Sequence, residues 1–213
     1  MNPTLIHPFT CVIAGPTGCG KTQFVRKLLT QDVIEGTPDR VVYCYGEYQS
    51  AFVELSDTID KIRFVEGLPS DLEKYLDPAY TTLIILDDIM TSHGNDQPNT
   101  DLFSKGSHHR NISVIYILQK KKKKIYGAKE TRNITLNAHY IVLFKNPRDK
   151  TQFSNLGKQM YPGQVKFVQE AFADATKEPY GYLFIYLNPN TPEDFRLRTN
   201  ILSHQIQYAY VPK

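Results

Sequence analysis

The chain has 213 residues, a formal net charge of +3 and three cysteines. A chain of this length can bury about 70% of its unfolded surface in one domain without disulfides, and a charge so close to neutral gives no general sign of a nucleic-acid binder. The absence of a CxxC pair, of a membrane-length apolar run and of a signal-peptide pattern argues against secreted and membrane classes, so we expect an intracellular protein.

The first predicted elements enclose a P-loop. A strand over 9–14 leads into GPTGCGKT, and a helix is predicted over 22–29. Glycines let the backbone turn its N–H groups toward phosphate oxygens, the lysine of such a loop reaches the β and γ phosphates, and its threonine hydroxyl binds Mg²⁺. The predicted nucleotide-binding residues are Gly15, Pro16, Thr17, Gly18, Cys19, Gly20, Lys21 and Thr22.

A second strand is predicted over 40–45, and two polar residues follow it, Glu47 and Gln49. Ligands of open α/β sheets lie beyond the carboxyl ends of the strands, so these two residues either face the nucleotide or form an ordinary loop. A short helix over 50–55, a strand over 62–65 and a helix over 70–76 complete this part of the chain.

Residues 81–88 form a continuous apolar run that ends in two carboxylates, a pattern typical of a Walker B strand buried on both faces. Asp87 is the predicted Mg²⁺ ligand, and Asp88 is the predicted base for the attacking water. The distance along the chain from the P-loop leaves room for at least one further strand. We therefore expect the ATPase class with an additional strand between the P-loop and Walker B strands.

A further buried strand is predicted over 112–118, after a polar loop at 93–100 and a helix at 101–109. It ends at Gln119, whose neutral amide suits a sensor that contacts the γ-phosphate without repelling it. Arg110 precedes the strand, away from its own P-loop, which favours an arginine finger that acts on a neighbouring subunit. His108 and His109, just before Arg110, have no Cys or further His at metal-ligand spacing, so no metal site is predicted there.

Five consecutive lysines, 120–124, follow the predicted sensor. Three interpretations remain open: a contact with a phosphate backbone, a solvated loop, or a low-complexity insertion without a role. Arg132, further along the chain, is a second candidate for the finger.

The last third is predicted to contain a strand over 140–144, two helices over 150–160 and 162–175, and a final strand over 182–187. The order of elements predicts an α/β P-loop NTPase domain over 1–188, a three-layer sandwich with a mainly parallel central sheet. Residues 189–213 are interpreted as a tail that is partly disordered or docked on a partner.

Several segments together carry a resemblance to a known family. With GPTGCGKT, LIILDD, KGSHHRNISVIYILQ, NAHYIVLFKNPRDK, MYPGQ and PYGYLF, the chain resembles, over nearly its full length, the genome-packaging ATPases of the FtsK/HerA superfamily. It looks most similar to the poxvirus-like packaging ATPases of Maverick/Polinton elements and adintovirus-type viruses. In that family, the residues matching the P-loop, the Walker B pair, the sensor and the arginine are Lys21, Thr22, Asp87, Asp88, Gln119 and Arg110.

The resemblance implies a homo-oligomeric ring, a pentamer or hexamer, that uses ATP and Mg²⁺ to move double-stranded DNA into a capsid, with capsid or other packaging proteins as partners. It also implies action in the nucleus or cytoplasmic viral factory of a host cell, or in the virion, and no membrane partner. One departure is the lysine run, where relatives carry an Asn and apolar residues before a shorter link to the arginine matching Arg132.

Two other functions stay open at this point: a P-loop nucleoside or nucleotide kinase, and a nucleotide-binding module without turnover. Paired carboxylates and a sensor glutamine favour activation of water over phosphoryl transfer to a bound hydroxyl, and no arginine-rich lid is found.

Overall fold

The computed structural model describes residues 5–69, 74, 77–89, 111–119, 134–148, 151–202 and 205–212. Most of the described strands form one nine-stranded sheet. The strands are β1 (Leu5–Ile6), β2 (Thr10–Gly15), β3 (Ile34–Glu35), β4 (Arg40–Tyr45), β5 (Ile62–Glu66), β6 (Thr82–Asp87), β7 (Ile112–Gln119), β8 (Tyr140–Phe144), β9 (Tyr182–Tyr186), β10 (Leu197–Thr199) and β11 (Tyr208–Tyr210). The helices are α1 (Lys21–Thr30), α2 (Ala51–Thr58), α3 (Thr151–Met160) and α4 (Val165–Ala175), with a short 3₁₀ turn at Glu193–Phe195.

The sheet has the order β11-β10-β9-β8-β2-β7-β6-β4-β5. The strands from β8 to β5 are parallel, and β9, β10 and β11 extend the sheet in antiparallel fashion. β7 lies between β2 and β6, with Cys11 and Ile85 both opposite Ile115. The predicted additional strand between the P-loop strand and the Walker B strand is therefore confirmed.

Helices cover both faces of the sheet. On one face α1 and α2 contribute Phe24, Leu28, Phe52 and Leu55 to a buried cluster. On the other face α3 and α4 contribute Phe153, Leu156, Val168, Ala171 and Ala175 to a second cluster. Both sides of β2, β6 and β8 are thereby buried, which explains why their sequences are continuous apolar runs and not alternating ones. The predicted three-layer sandwich is confirmed.

The C-terminal segment is part of this architecture. Residues 189–213, predicted as a tail, include β10, which pairs with β9, and β11, which pairs with β10. Leu197 is fully buried, and Ile201 and Leu202 are also in the core. Its strands have only three residues each, too short for a strand period to be recognised in the sequence.

Most predicted elements lie within one to three residues of the observed ones. The largest shifts are of three residues: α2 ends at Thr58 and not at Leu55, and α4 begins at Val165 and not at Pro162, because a turn with Gly163 at positive φ precedes that helix. The predicted helix at 101–109 lies outside the described residues, as does the one at 70–76 apart from Lys74. No helix in the described ranges is long and apolar enough to cross a membrane.

Candidate phosphate and metal site

The P-loop connects β2 to α1 at the carboxyl edge of the parallel strands. Gly20 is the residue before α1 and has φ of 100°, a left-handed conformation that non-glycine residues rarely adopt. The N–H of Phe24 donates to the Gly20 carbonyl at 2.8 Å, which begins the helical hydrogen-bond ladder. The sequence thus folds locally into the strand, turn and helix that a phosphate-binding loop requires.

Lys21 folds back into this loop. Its side chain is buried, with 6% exposure, and Nζ donates to the carbonyls of Gly15 and Pro16, each at 2.9 Å. Nζ also lies 3.9 Å from the Cys19 sulfur. Burial raises the pKa of the Cys19 thiol, and the Lys21 charge acts in the opposite direction. The loop carbonyls therefore hold the Lys21 ammonium group inside the P-loop. A phosphate could replace these carbonyls as its hydrogen-bond partners.

Asp87 is the last residue of β6 and lies on the face covered by α1 and α2. It is only 3% exposed, and Oδ2 accepts a hydrogen bond of 2.8 Å from the Tyr43 hydroxyl of β4. Burial raises the pKa of the Asp87 carboxyl, while the Tyr43 hydrogen bond and the Lys21 charge lower it. The pKa of Tyr43 is raised as well, first by burial and then by the Asp87 charge.

Gln49 connects the P-loop to the carboxylate at the end of β6. Thr22 Oγ1 donates to Gln49 Oε1 at 3.3 Å, and Gln49 Nε2 donates to Asp87 Oδ2 at 3.4 Å. Of the two loop residues singled out from the sequence, Gln49 thus reaches the site, whereas Glu47 is exposed. Both contacts are long, so the bridge is weaker than the Tyr43 contact.

The oxygen atoms at this position fit a magnesium ion. Asp87 Oδ1 is buried without a hydrogen-bond partner among the described residues, although a buried carboxylate oxygen normally has one. Thr22 Oγ1 is linked to the same carboxylate through Gln49. Hydroxyl and carboxylate oxygens are the donors that Mg²⁺ prefers, so Thr22 and Asp87 could hold it.

Asp88 follows directly and has an unusual backbone. Its φ is 51°, in the left-handed region, and its N–H lies 3.3 Å from the Ile117 carbonyl of β7. The loop after β4 packs against it, since a Cβ at Gly46 would lie 2.6 Å from the Asp88 carbonyl oxygen. The loop that follows β4 can therefore approach Asp88 this closely only because residue 46 is glycine.

The structure brings Lys21, Thr22, Asp87 and Asp88 to one edge of the sheet, as the sequence predicts. The backbone of Gln119 pairs with Gly15 at the end of β7, which places the residue at the same edge. Arg110, Arg132, the lysines at 120–124 and the Gln119 side chain lie outside the described residues and side chains.

Tyr43 is the site residue that sequence reasoning missed. It lies in the middle of the apolar strand RVVYCY, where a tyrosine reads as core. The one available signal was its hydroxyl, which needs a partner when the ring is buried.

Comparisons with known proteins give a shared fold and a short sequence match. No protein-family model matches the chain. A stretch of 38 residues is 50% identical to Packaging protein 1 of Human adenovirus C serotype 5, which is 18% of this chain and 8% of the length of that relative. The chain thus matches less than a tenth of the relative.

A solved viral structure is similar to this chain over its whole length. It is the genome packaging NTPase B204 from Sulfolobus turreted icosahedral virus 2, in complex with ATP-gammaS. The alignment covers 100% of this chain and 99% of that chain, with a TM-score of 0.56 and 15% identity. At this identity the likeness establishes the P-loop NTPase fold.

Proposed function

We propose that this protein is an ATPase that moves double-stranded DNA into a viral or transposon capsid. One observation carries the ATPase part: the P-loop residues Lys21 and Thr22 lie at the same sheet edge as Asp87 and Asp88, with β7 between their strands. At that edge Lys21 supplies a cation that can bind phosphate, and Thr22 and Asp87 supply oxygen ligands for a metal ion. Asp88 supplies a carboxylate that can accept a proton from water. Phosphoryl transfer to water requires these groups.

In this proposal Lys21 leaves the carbonyls of Gly15 and Pro16 and pairs with the β and γ phosphates. Thr22 and Asp87 would hold Mg²⁺, and the bound ion would neutralise charge on the phosphate oxygens. Tyr43 holds Oδ2 of Asp87, so that the unpartnered Oδ1 is left for the metal side.

Asp88 accepts the proton of the attacking water, and Gln119 contacts the γ-phosphate at the end of β7. The position of Asp88 supports this role because its backbone is fixed on two sides, by Ile117 and by the loop at Gly46. A base that is held in place contributes more than one that must first be ordered.

The packaging part has separate support. The 38-residue match is to a packaging protein, and the full-length fold match is to a genome packaging NTPase. We propose membership in the FtsK/HerA superfamily, of the Maverick/Polinton or adintovirus type, and assembly into a homo-oligomeric ring of about five or six subunits. Double-stranded DNA and capsid proteins are the proposed partners, in the nucleus or viral factory of a host cell or in the virion.

The proposal is tested by measuring the ATPase rate with and without double-stranded DNA, together with the mass in solution. We expect stimulation by DNA, an assembly larger than the monomer, and loss of turnover in Lys21→Ala and Asp88→Asn. Folded, assembled protein that releases no phosphate in the presence of DNA would refute it. A phosphorylated nucleoside in place of free phosphate would instead indicate a kinase.

The ring further implies that an arginine of one subunit completes the site of the next, and Arg110 and Arg132 are the candidates. Wild-type subunits mixed with Arg110→Ala or Arg132→Ala subunits should lose activity nonlinearly with the mixing ratio for the true finger. A linear loss for both variants would contradict action between subunits.

A further inference from the structure

The segment PYGYLF contains an exposed aromatic side chain that the proposed chemistry does not use. The side chain of Tyr180 is 72% exposed. Its ring nevertheless lies against the P-loop: a Cβ at Gly20 would be 3.0 Å from Cδ1 of Tyr180. A large apolar ring is thus left open to solvent directly beside the start of α1.

The backbone at Tyr180 is held in a conformation that its side chain disfavours. The N–H of Gly181 donates to the Glu178 carbonyl at 3.0 Å, which closes a turn over 178–181. Pro179 is the second residue and Tyr180, with φ of 62°, is the third, the pattern of a type II turn. Glycine or asparagine is the usual third residue, because a bulky side chain at positive φ is strained.

Since glycine would relieve this strain, the turn itself does not explain a tyrosine there. Strained residues of this kind are common at ligand sites. The side chain that the turn presents is therefore the feature that requires explanation.

The topology indicates which part of a nucleotide would reach this ring. In the sheet, the metal residue Asp87 lies on one side of the P-loop strand, two strands away on β6. Tyr180 comes from the opposite side, just before β9, whose residue Tyr182 pairs with Phe144 at the same edge. A triphosphate with its γ end toward the metal would direct its base away from Asp87, and so toward Tyr180.

We propose that Tyr180 forms the base subsite of the nucleotide site, where a purine stacks on the exposed ring. This inference rests on the proposed nucleotide binding at the P-loop. Stacking uses the face of the base and is largely independent of its hydrogen-bonding edge, so ATP and GTP should bind with similar affinity. Pyrimidine triphosphates, with a smaller ring, should bind more weakly.

The test compares a ligand with a base to one without. Dissociation constants for ATP and for inorganic tripolyphosphate, both with Mg²⁺, are measured by calorimetry for the wild type, Tyr180→Ala and Tyr180→Phe. We expect Tyr180→Ala to weaken ATP roughly tenfold and to leave tripolyphosphate unchanged, because stacked bases contribute on this scale. Tyr180→Phe keeps the ring and should bind ATP as the wild type does.

Two further variants separate binding from folding. Tyr180→Gly removes the ring and also relieves the strained φ, so it should unfold at the same or a higher temperature while losing the affinity for ATP. Tyr208→Ala removes another half-exposed tyrosine, on the edge strand β11, and should change neither ligand.

An equal loss for ATP and tripolyphosphate would overturn the base subsite, because the ring would then support the loop and not the base. Unchanged ATP binding in Tyr180→Gly would overturn it as well. Failure of wild-type protein to bind either ligand would instead refute the proposed function, and the base subsite with it.

Discussion

The hydroxyl of Tyr43 donates a 2.8 Å hydrogen bond to Oδ2 of Asp87, from the middle of one buried strand to the end of its neighbour. The bond leaves Oδ1 as the carboxylate oxygen without a partner among the described residues. It therefore fixes both the position of the carboxylate and the oxygen that remains for a ligand.

We expect Tyr43→Phe to weaken the Mg²⁺-dependent part of nucleotide affinity about tenfold, because Asp87 loses its strongest positioning contact. Affinity for nucleotide in EDTA should stay as in the wild type. Tyr45→Phe is the matched control: it makes the same change two residues along β4, at a hydroxyl that makes no hydrogen bond with the described part of the chain. Equal losses with and without Mg²⁺ would mean that Tyr43 acts only on the fold.

A pH dependence follows from the same pair. Burial raises the pKa of Asp87 above its ordinary value of 3.8, and the Tyr43 hydrogen bond acts against that rise. Tyr43→Phe should therefore raise the pKa further. Because metal binding needs the ionised carboxylate, Mg²⁺-dependent affinity should fall with decreasing pH in both proteins, and at a higher pH in the variant. Dissociation constants measured across an acidic pH series, with Mg²⁺ and with EDTA, check the direction of the shift.

Gly46→Ala should lower turnover about ten- to a hundredfold. Its new Cβ would lie 2.6 Å from the Asp88 carbonyl oxygen, so the proposed base must move. Nucleotide affinity should change much less, since the P-loop is not touched. Gly157→Ala, in α3, is a suitable control, because its Cβ would lie at an ordinary contact distance of 3.4 Å from the Val168 side chain of α4. Steady-state phosphate release and nucleotide binding, measured on both variants, decide the matter; normal turnover in Gly46→Ala would contradict the role of this contact.

Leu197→Ala should reduce the free energy of unfolding by about 2–4 kcal/mol, as expected for a fully buried leucine. Ile206→Ala, at a position with 74% exposure in the same segment, should change it by less than about 0.5 kcal/mol. Urea unfolding followed by circular dichroism gives both values. Equal stability of the two variants would show that the segment does not contribute to the core.

Features formed by residues close together in the sequence were predictable, whereas features that depend on contacts between distant residues were not. The P-loop and the carboxylates at the end of β6 were predictable because each is a local pattern of fewer than about ten residues. The Tyr43 contact was not, since it joins residues 44 positions apart and depends on the register of β4 with β6. Gln49 was only half predicted: its edge could be inferred, but its contact with Thr22 depends on how the loop turns.

The C-terminal strands show the same limit. Leu197 pairs with Ile185 of β9 and with Tyr210 of β11, so its burial depends on strand pairing, and three-residue strands carry too few positions for a period. In the sequence, Tyr180 stands out only as part of the segment PYGYLF. Its contact with Gly20 could not be predicted, because it arises from the pairing of β8 with β9.

The position of β7 between β2 and β6 has a consequence for the geometry of the candidate site. With β7 inserted, the strand of the P-loop and the strand of Asp87 are two spacings apart, or about 10 Å at the usual distance between strands. The separation of the P-loop from Asp87 is therefore set by the pairing of β7 with both neighbouring strands and not by any one side chain. A substitution that leaves β7 paired on both sides should leave that separation unchanged, so the two halves of the candidate site keep their distance even when a single side chain is removed.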